Sequence, residues 1–178
     1  MNALENLFLT ELADRYDAEE QLVGAAPRMA ESATCKDLQK LLLSHLKETE
    51  GHVKMVRRIF ESFGEEPTRR RCEGTAGLLR ECEEIAADFK GSQAINATVV
   101  SAAQKIQHHE IASYGCLHEW AKLLGNTEAS ALLKEILIEE KVANKALIAL
   151  ARSQCNNEAL GKGNAAVSCN EDKTRKPA

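Results

Sequence analysis

Aromatic residues are scarce in this chain: Phe, Tyr and Trp together make up 4% of its 178 residues. Strands favour aromatic and β-branched side chains, so the composition disfavours a sandwich or barrel and points to helices packed through Leu, Ile, Val and Ala. Long apolar runs are missing as well. No stretch approaches the roughly 20 residues that cross a bilayer. The opening MNALENLFLTELADRYDAEE carries acids throughout, unlike a secretory signal. A membrane is therefore not an expected partner, and the cytoplasm is the expected location. The six cysteines (Cys35, Cys72, Cys82, Cys116, Cys155 and Cys169) form no C-x-x-C pair, which argues against a zinc ribbon or a rubredoxin-type iron site. The formal net charge is only -4, which gives no electrostatic reason to expect nucleic acid.

What is present is helical periodicity in four long stretches. Apolar residues recur at i, i+3 and i+4 from Ala3 to Ser32 (Leu4, Phe8, Leu12, Tyr16, Leu22) and from Cys35 to Phe63 (Leu38, Leu42, Val56, Ile59). They recur again from Gln93 to Leu124 and from Asn126 to Arg152. Pro27 is expected to kink the first helix or loosen its last turn. Gly64 with Pro67, and Gly125, are stop signals, and Asn126 or Thr127 is a candidate N-cap. Between the second and third stretches lies a shorter candidate helix over about 73–90. The basic run Arg69–Arg70–Arg71 reads as a solvated loop. Residues 1–152 thus form one helical domain, and 153–178, rich in Asn, Gly, Lys and Ser, read as a disordered tail.

Acids interrupt the apolar stripes at particular places. Glu19 precedes Leu22 on the inward face of the first helix. His45, Glu48 and His52 follow Leu41 at spacings of four, three and four in the second. Glu110 falls between Ile106 and Leu117, and Glu140 between Ile136 and Leu147. A lone buried carboxylate is costly unless it is paired or bound to metal. Measured from turns near residues 33 and 126, the four glutamates lie 14 to 16 residues away, a spread of only about 3 Å at 1.5 Å per residue. Two antiparallel hairpins would bring them to one level. This is the arrangement of carboxylate-bridged di-metal bundles, whose oxygen and imidazole ligands suit iron or manganese. Glu20 lies beside Glu19, Glu50 near Glu48 and Glu139 beside Glu140, so each candidate acid also fits a solvated face, and Glu139 competes with Glu140 for the inward position. His108, His109 and His118 read as surface or packing histidines. Tyr16 and Tyr114 read as core residues within a turn of a candidate ligand, with hydrogen bonding to a ligand as the alternative.

The strings YDAEEQL, HLKETEGH, IFESFGEEP, AAQKIQHHEIASYG and LIEEKVANKAL, in this order, resemble the YciF/YciE family of bacterial stress-associated proteins over roughly residues 5–150. The resemblance implies an all-α, ferritin-like antiparallel four-helix bundle with an extra short helix between the two hairpins, assembled as a homodimer. It matches the family's candidate metal acids to Glu19, Glu48, Glu110 and Glu140, with His45 in the HLxET string. The expected activity is oxidation of Fe(II), or turnover of O2 or peroxide, at two iron or manganese ions. Glu48 and Glu140 would bridge the ions, Glu19 and Glu110 would be terminal ligands, and His45 or His52 would add an imidazole. Gln107 and Asn144 stand where relatives often carry Glu and Asp, which favours the rival reading of a metal-free dimeric scaffold.

Overall fold

The computed structural model describes residues 2–162, and these are all-helical apart from turns and connecting segments. Four long helices carry the fold: α1 (Ala3–Ser32), α2 (Lys36–Ser62), α4 (Ile95–Leu123) and α5 (Thr127–Leu150). The shorter α3 (Glu73–Asp88) lies in the connection between α2 and α4 and packs on α4 and α1. Each start has a local cause. The Asn2 side chain accepts from the Glu5 N–H, with Glu5 reaching back to the Asn2 N–H, a reciprocal cap on α1. Asn126 caps α5 through the Ala129 N–H. Pro27 is exposed, and α1 continues through it to Ser32.

Only three residues separate α1 from α2, and three separate α4 from α5, so each pair is an antiparallel hairpin. Side-chain clusters define the order between hairpins. The starts of α1 and α5 meet the ends of α2 and α4 around Phe8, Tyr16, Phe60, Tyr114 and Leu133. The opposite ends meet around Leu38, Leu42, Val99, Leu147 and Cys155. Helices α2 and α4 therefore run in the same direction. The chain must travel the length of the bundle between them, the single long crossover of ferritin-like folds. The crossover is pinned to α1: Asp17 accepts from the Cys72 N–H (2.9 Å) and from Arg69 (2.9 Å), and the Arg70 N–H donates to the Ala13 carbonyl. Arg69 is thus ion-paired rather than merely solvated.

The bundle consists of an aromatic half and an aliphatic half with a polar layer between them. The C-terminal end also departs from the expected tail at Ser153. A π-turn over Ala151–Cys155 and a short α6 (Asn156–Ala159) continue α5. Burial of Cys155 at 0% exposure against the aliphatic half holds them there. Asn96 ties this end together. Its Oδ1 accepts from the Thr34 and Cys35 N–H groups, and its Nδ2 donates to Thr34 Oγ1 and Glu158. The remaining residues of the expected tail, 163–178, lie outside the described residues. Among the described residues no helix is long and apolar enough to cross a membrane.

Candidate functional site

Glu19, His52, Glu110 and Glu140 are each 0% exposed and come from all four long helices into the polar layer. His45 stands one side of them, mostly buried. One oxygen each from Glu110 and Glu140 and one ring nitrogen of His45 lie within 4.8 Å of one another, close enough to share an ion. His45 Nε2 is 3.5 Å from Glu140 Oε1, and His52 Nδ1 is 3.5 Å from the same oxygen and 3.7 Å from Glu19 Oε2. Glu140 therefore faces both imidazoles. Glu139 points outward, where its partly exposed carboxylate meets His52 Nε2 at 2.8 Å and fixes the ring so that Nδ1 turns inward.

Glu48 is placed differently from the other glutamates. Its side chain is 41% exposed and contacts His45 Nδ1 at 3.0 Å rather than the other acids. The position expected to bridge two ions instead orients the histidine that faces Glu140. Tyr114, at 0% exposure, donates a hydrogen bond to Glu19 Oε1. Of the two candidate tyrosines, this is the one with a polar contact in the layer; Tyr16 packs edge-on against Phe60.

The layer is short of partners. Glu19 Oε2, both oxygens of Glu110, both oxygens of Glu140 and His52 Nδ1 are buried without a hydrogen bond. Buried polar atoms are almost always paired, and an unpaired carboxylate is among the costliest exceptions. Protonation is the available compensation. Burial pushes Glu110 well above the usual carboxylate range, reinforced by Glu140 and Glu19. Burial also lifts Glu140 to about 7, with Glu19 adding repulsion and His45 and His52 opposing it. Burial alone would depress His52, yet Glu19, Glu140 and Glu139 raise it to about 9. His45 is likewise raised by Glu48 and Glu140 against its burial. Protons thus occupy positions where divalent cations would serve the same electrostatic need. Five free carboxylate oxygens and one free imidazole nitrogen, in a buried layer, form a hard donor set that fits iron or manganese.

Sequence reasoning missed Arg15. It is 1% exposed and sits one turn before Glu19 on α1. Its Nη2 donates to Asp14 (2.7 Å), to the Cys72 sulfur (2.8 Å) and to His109 Nε2 (2.9 Å). Because Arg only donates, His109 Nε2 must accept and the ring is neutral, which agrees with its lowered pKa from burial and Arg15. Gly74 leaves the space this ring needs: a Cβ there would lie 3.1 Å from two of its atoms. Arg15 also moderates Glu110, which burial and the other acids push upward. Gln107 is buried beside Glu110 with its Oε1 unpaired, and Asn144 lies at long hydrogen-bond range from Gln104 and His108.

One crossover connection, four long helices and a buried carboxylate–imidazole layer at mid-height define the class, a ferritin-like helical bundle. Within it, the chain belongs to the family described as a domain of unknown function, DUF892, whose model matches residues 3–160. It is 35% identical to Protein YciF of Escherichia coli (strain K12) over 163 residues, 91% of this chain and 98% of that one. The crystal structure of the E. coli stress protein YciF superposes with a TM-score of 0.82 at 34% identity, covering 90% of this chain and 99% of that chain. YcfI from Rhodopseudomonas palustris, provisionally described as a structural protein, gives 0.80 at 37% identity over 83% of this chain and 94% of that chain.

Proposed function

We propose that this stress-family protein holds two iron or manganese ions in the polar layer, where it oxidises Fe(II) or consumes O2 or peroxide. The observation that carries the reading is the set of unpaired buried atoms on Glu19, Glu110, Glu140 and His52. Glu140, facing both histidines and Glu110, would be the ligand shared between the ions. Glu19 and Glu110 would hold the ions from α1 and α4, and His45 and His52 would supply imidazoles. Glu48 acts through His45, and Tyr114 holds Glu19. Bound together, the two ions would supply a pair of one-electron steps at one place. The protein's part is to exclude water, to fix the ligands from four helices and to neutralise charge with Arg15 nearby. The resemblance to YciF/YciE proteins supports a cytoplasmic homodimer, checked by sedimentation.

The test is anaerobic Fe(II) titration of metal-stripped protein, repeated with Mn(II). About two ions per chain are expected, as in di-metal bundles of this fold. Glu140→Ala should lose them while keeping the helical circular dichroism, and Glu48→Ala should weaken loading without abolishing it. The structural description of YcfI favours a second reading, a metal-free helical scaffold. Failure to bind either ion stoichiometrically would select that reading.

A further inference from the structure

Two cysteines that lie far apart in the sequence are brought together by the fold. Cys35 caps the start of α2, and Cys155 closes the π-turn that follows α5. Both are buried, at 5% and 0% exposure, and both belong to the aliphatic half of the core. The Cys155 thiol is in hydrogen-bonding contact with that of Cys35. Among the five described cysteines no other two share a core cluster. Cys82 packs with Leu22 and Ile106, Cys72 is held by Arg15 and Thr75, and Cys116 is exposed. The backbone on both sides aims the pair together. Leu147, Ala151 and Cys155 are buried at intervals of four, and four α-helical residues overshoot a turn by about 40°. The π-turn over Ala151–Cys155 makes wider i→i+5 turns and so winds Cys155 back onto the inward face. Asn96 then fixes both segments at once. Its Oδ1 accepts from the Cys35 N–H at 3.0 Å, and its Nδ2 donates at 2.9 Å to Glu158, three residues beyond Cys155.

We infer that Cys35 and Cys155 form a reversible disulfide on oxidation by hydrogen peroxide, locking the π-turn and α6 to the start of α2. The inference does not depend on the di-metal reading. In the closed bundle, burial pushes the Cys155 thiol up to about 11, and the thiolate is the nucleophile, so the pair is inert there. The π-turn and α6 are the last described elements, and opening one such segment costs far less than unfolding the bundle. While the segment is open, one thiolate attacks peroxide. An S–O bond forms, the O–O bond breaks, and the leaving hydroxide takes up the thiol's proton as water. The segment then closes on the sulfenic acid. The second thiol gives up its proton, its sulfur displaces hydroxide to form the S–S bond, and a second water departs. Peroxide gains two electrons and the two sulfurs lose one each; a small thiol returns them by exchange. The new bond closes a loop containing α2 to α5, which constrains the unfolded chain and holds the C-terminal segment in place.

The experiment uses the full chain, stripped of metal and kept in chelator, so that its outcome is separate from that of the di-metal reading. The protein is treated with hydrogen peroxide, alkylated in denaturant and digested without reductant. Mass spectrometry should find one peptide pair joined through Cys35 and Cys155, and dithiothreitol should release it. The oxidised chain should unfold at a higher urea concentration than the reduced chain. Cys35→Ala and Cys155→Ala should each abolish both the link and that rise, whereas Cys116→Ala should change neither. Cys35→Ala carries the comparison alone if Cys155→Ala folds poorly. Recovery of both cysteines unlinked after oxidation overturns the inference, as does either of them joined mainly to another cysteine. A Cys35–Cys155 link that leaves the urea midpoint unmoved overturns the locking.

Discussion

The two halves of the core on either side of the polar layer are built from different side chains. The aromatic half holds Phe8, Tyr16, Phe60 and Tyr114, with Phe63 and Trp120 packed against them. Six of the seven aromatic residues of the chain are therefore in one half, and the seventh, Phe89, is 40% exposed. Ring pairs such as Phe8–Phe63 at 4.8 Å fill that volume closely. The aliphatic half is made of Ala, Val, Leu, Ile and Cys and includes Ala30, Ala33, Val99, Val100 and Ala103. Small side chains at facing positions leave a cavity beside His45 and Glu110. The difference teaches where a short supply of aromatic volume has been placed. One side of the layer is packed as an aromatic floor, and the other leaves a cavity beside the candidate ligands.

The largest expected effect comes from breaking the floor. Phe8 is 0% exposed and touches a ring partner, so Phe8→Ala should lower the stability of metal-free protein by about 3–5 kcal/mol in urea unfolding. A loss below about 1 kcal/mol would mean the aromatic half is no better packed than its counterpart.

The polar layer between the halves should reveal itself through pH. Glu140 is raised from 4.5 to about 7, so the folded chain holds a proton there that the unfolded chain releases, and stability falls as pH rises across that window. His52, raised from 6.5 to about 9, contributes stability that is complete below 6.5 and lost as pH rises through 9. Both signs agree: metal-free protein should be more stable near pH 5 than near pH 9, measured by thermal melting. Adding Mn(II) at the upper pH should recover the loss, because cations replace the departing protons. A flat profile would mean the layer is already compensated by other groups.

Much of this was legible in the sequence, for identifiable reasons. Stop glycines, caps and 3.6-residue periodicity located both hairpins, and equal distances from the two turns put the glutamates at one level. Glu48 shows where that reasoning ends. It sits about 60° around the helix from His45, at the edge of a stripe that is itself about 100° wide. Burial at Leu42 and Thr49, about 60° and 40° on the other side of His45, shows that α2 is rolled that way, leaving Glu48 at the rim. Nothing along a single helix reports that roll. Arg15 was illegible for a related reason: its sulfur and imidazole partners are 57 and 94 residues away, so locally it is one more charge in an acidic helix. Cys155 is a lone buried anchor in a polar run too short to show a period.

The subtlest prediction makes one substitution in both halves of the same helix. Ala121 and Ala103 both lie on α4, at 0% and 6% exposure, on opposite sides of Glu110. Leu and Ala differ little in helix propensity, so local preference is nearly unchanged at either place. Ala121→Leu must force three extra carbons among Phe60-side neighbours that already fill their space, and overpacking costs about 1–3 kcal/mol. Ala103→Leu extends instead into the cavity, gaining apolar contacts without displacing a neighbour, and should change the urea midpoint of metal-free protein little or raise it. Equal destabilisation at both sites would show that the aliphatic half closes around its cavity in solution. A penalty at Ala121 alone would show that the open volume beside the ligands persists and that the aromatic side holds the four helices far enough apart to keep it.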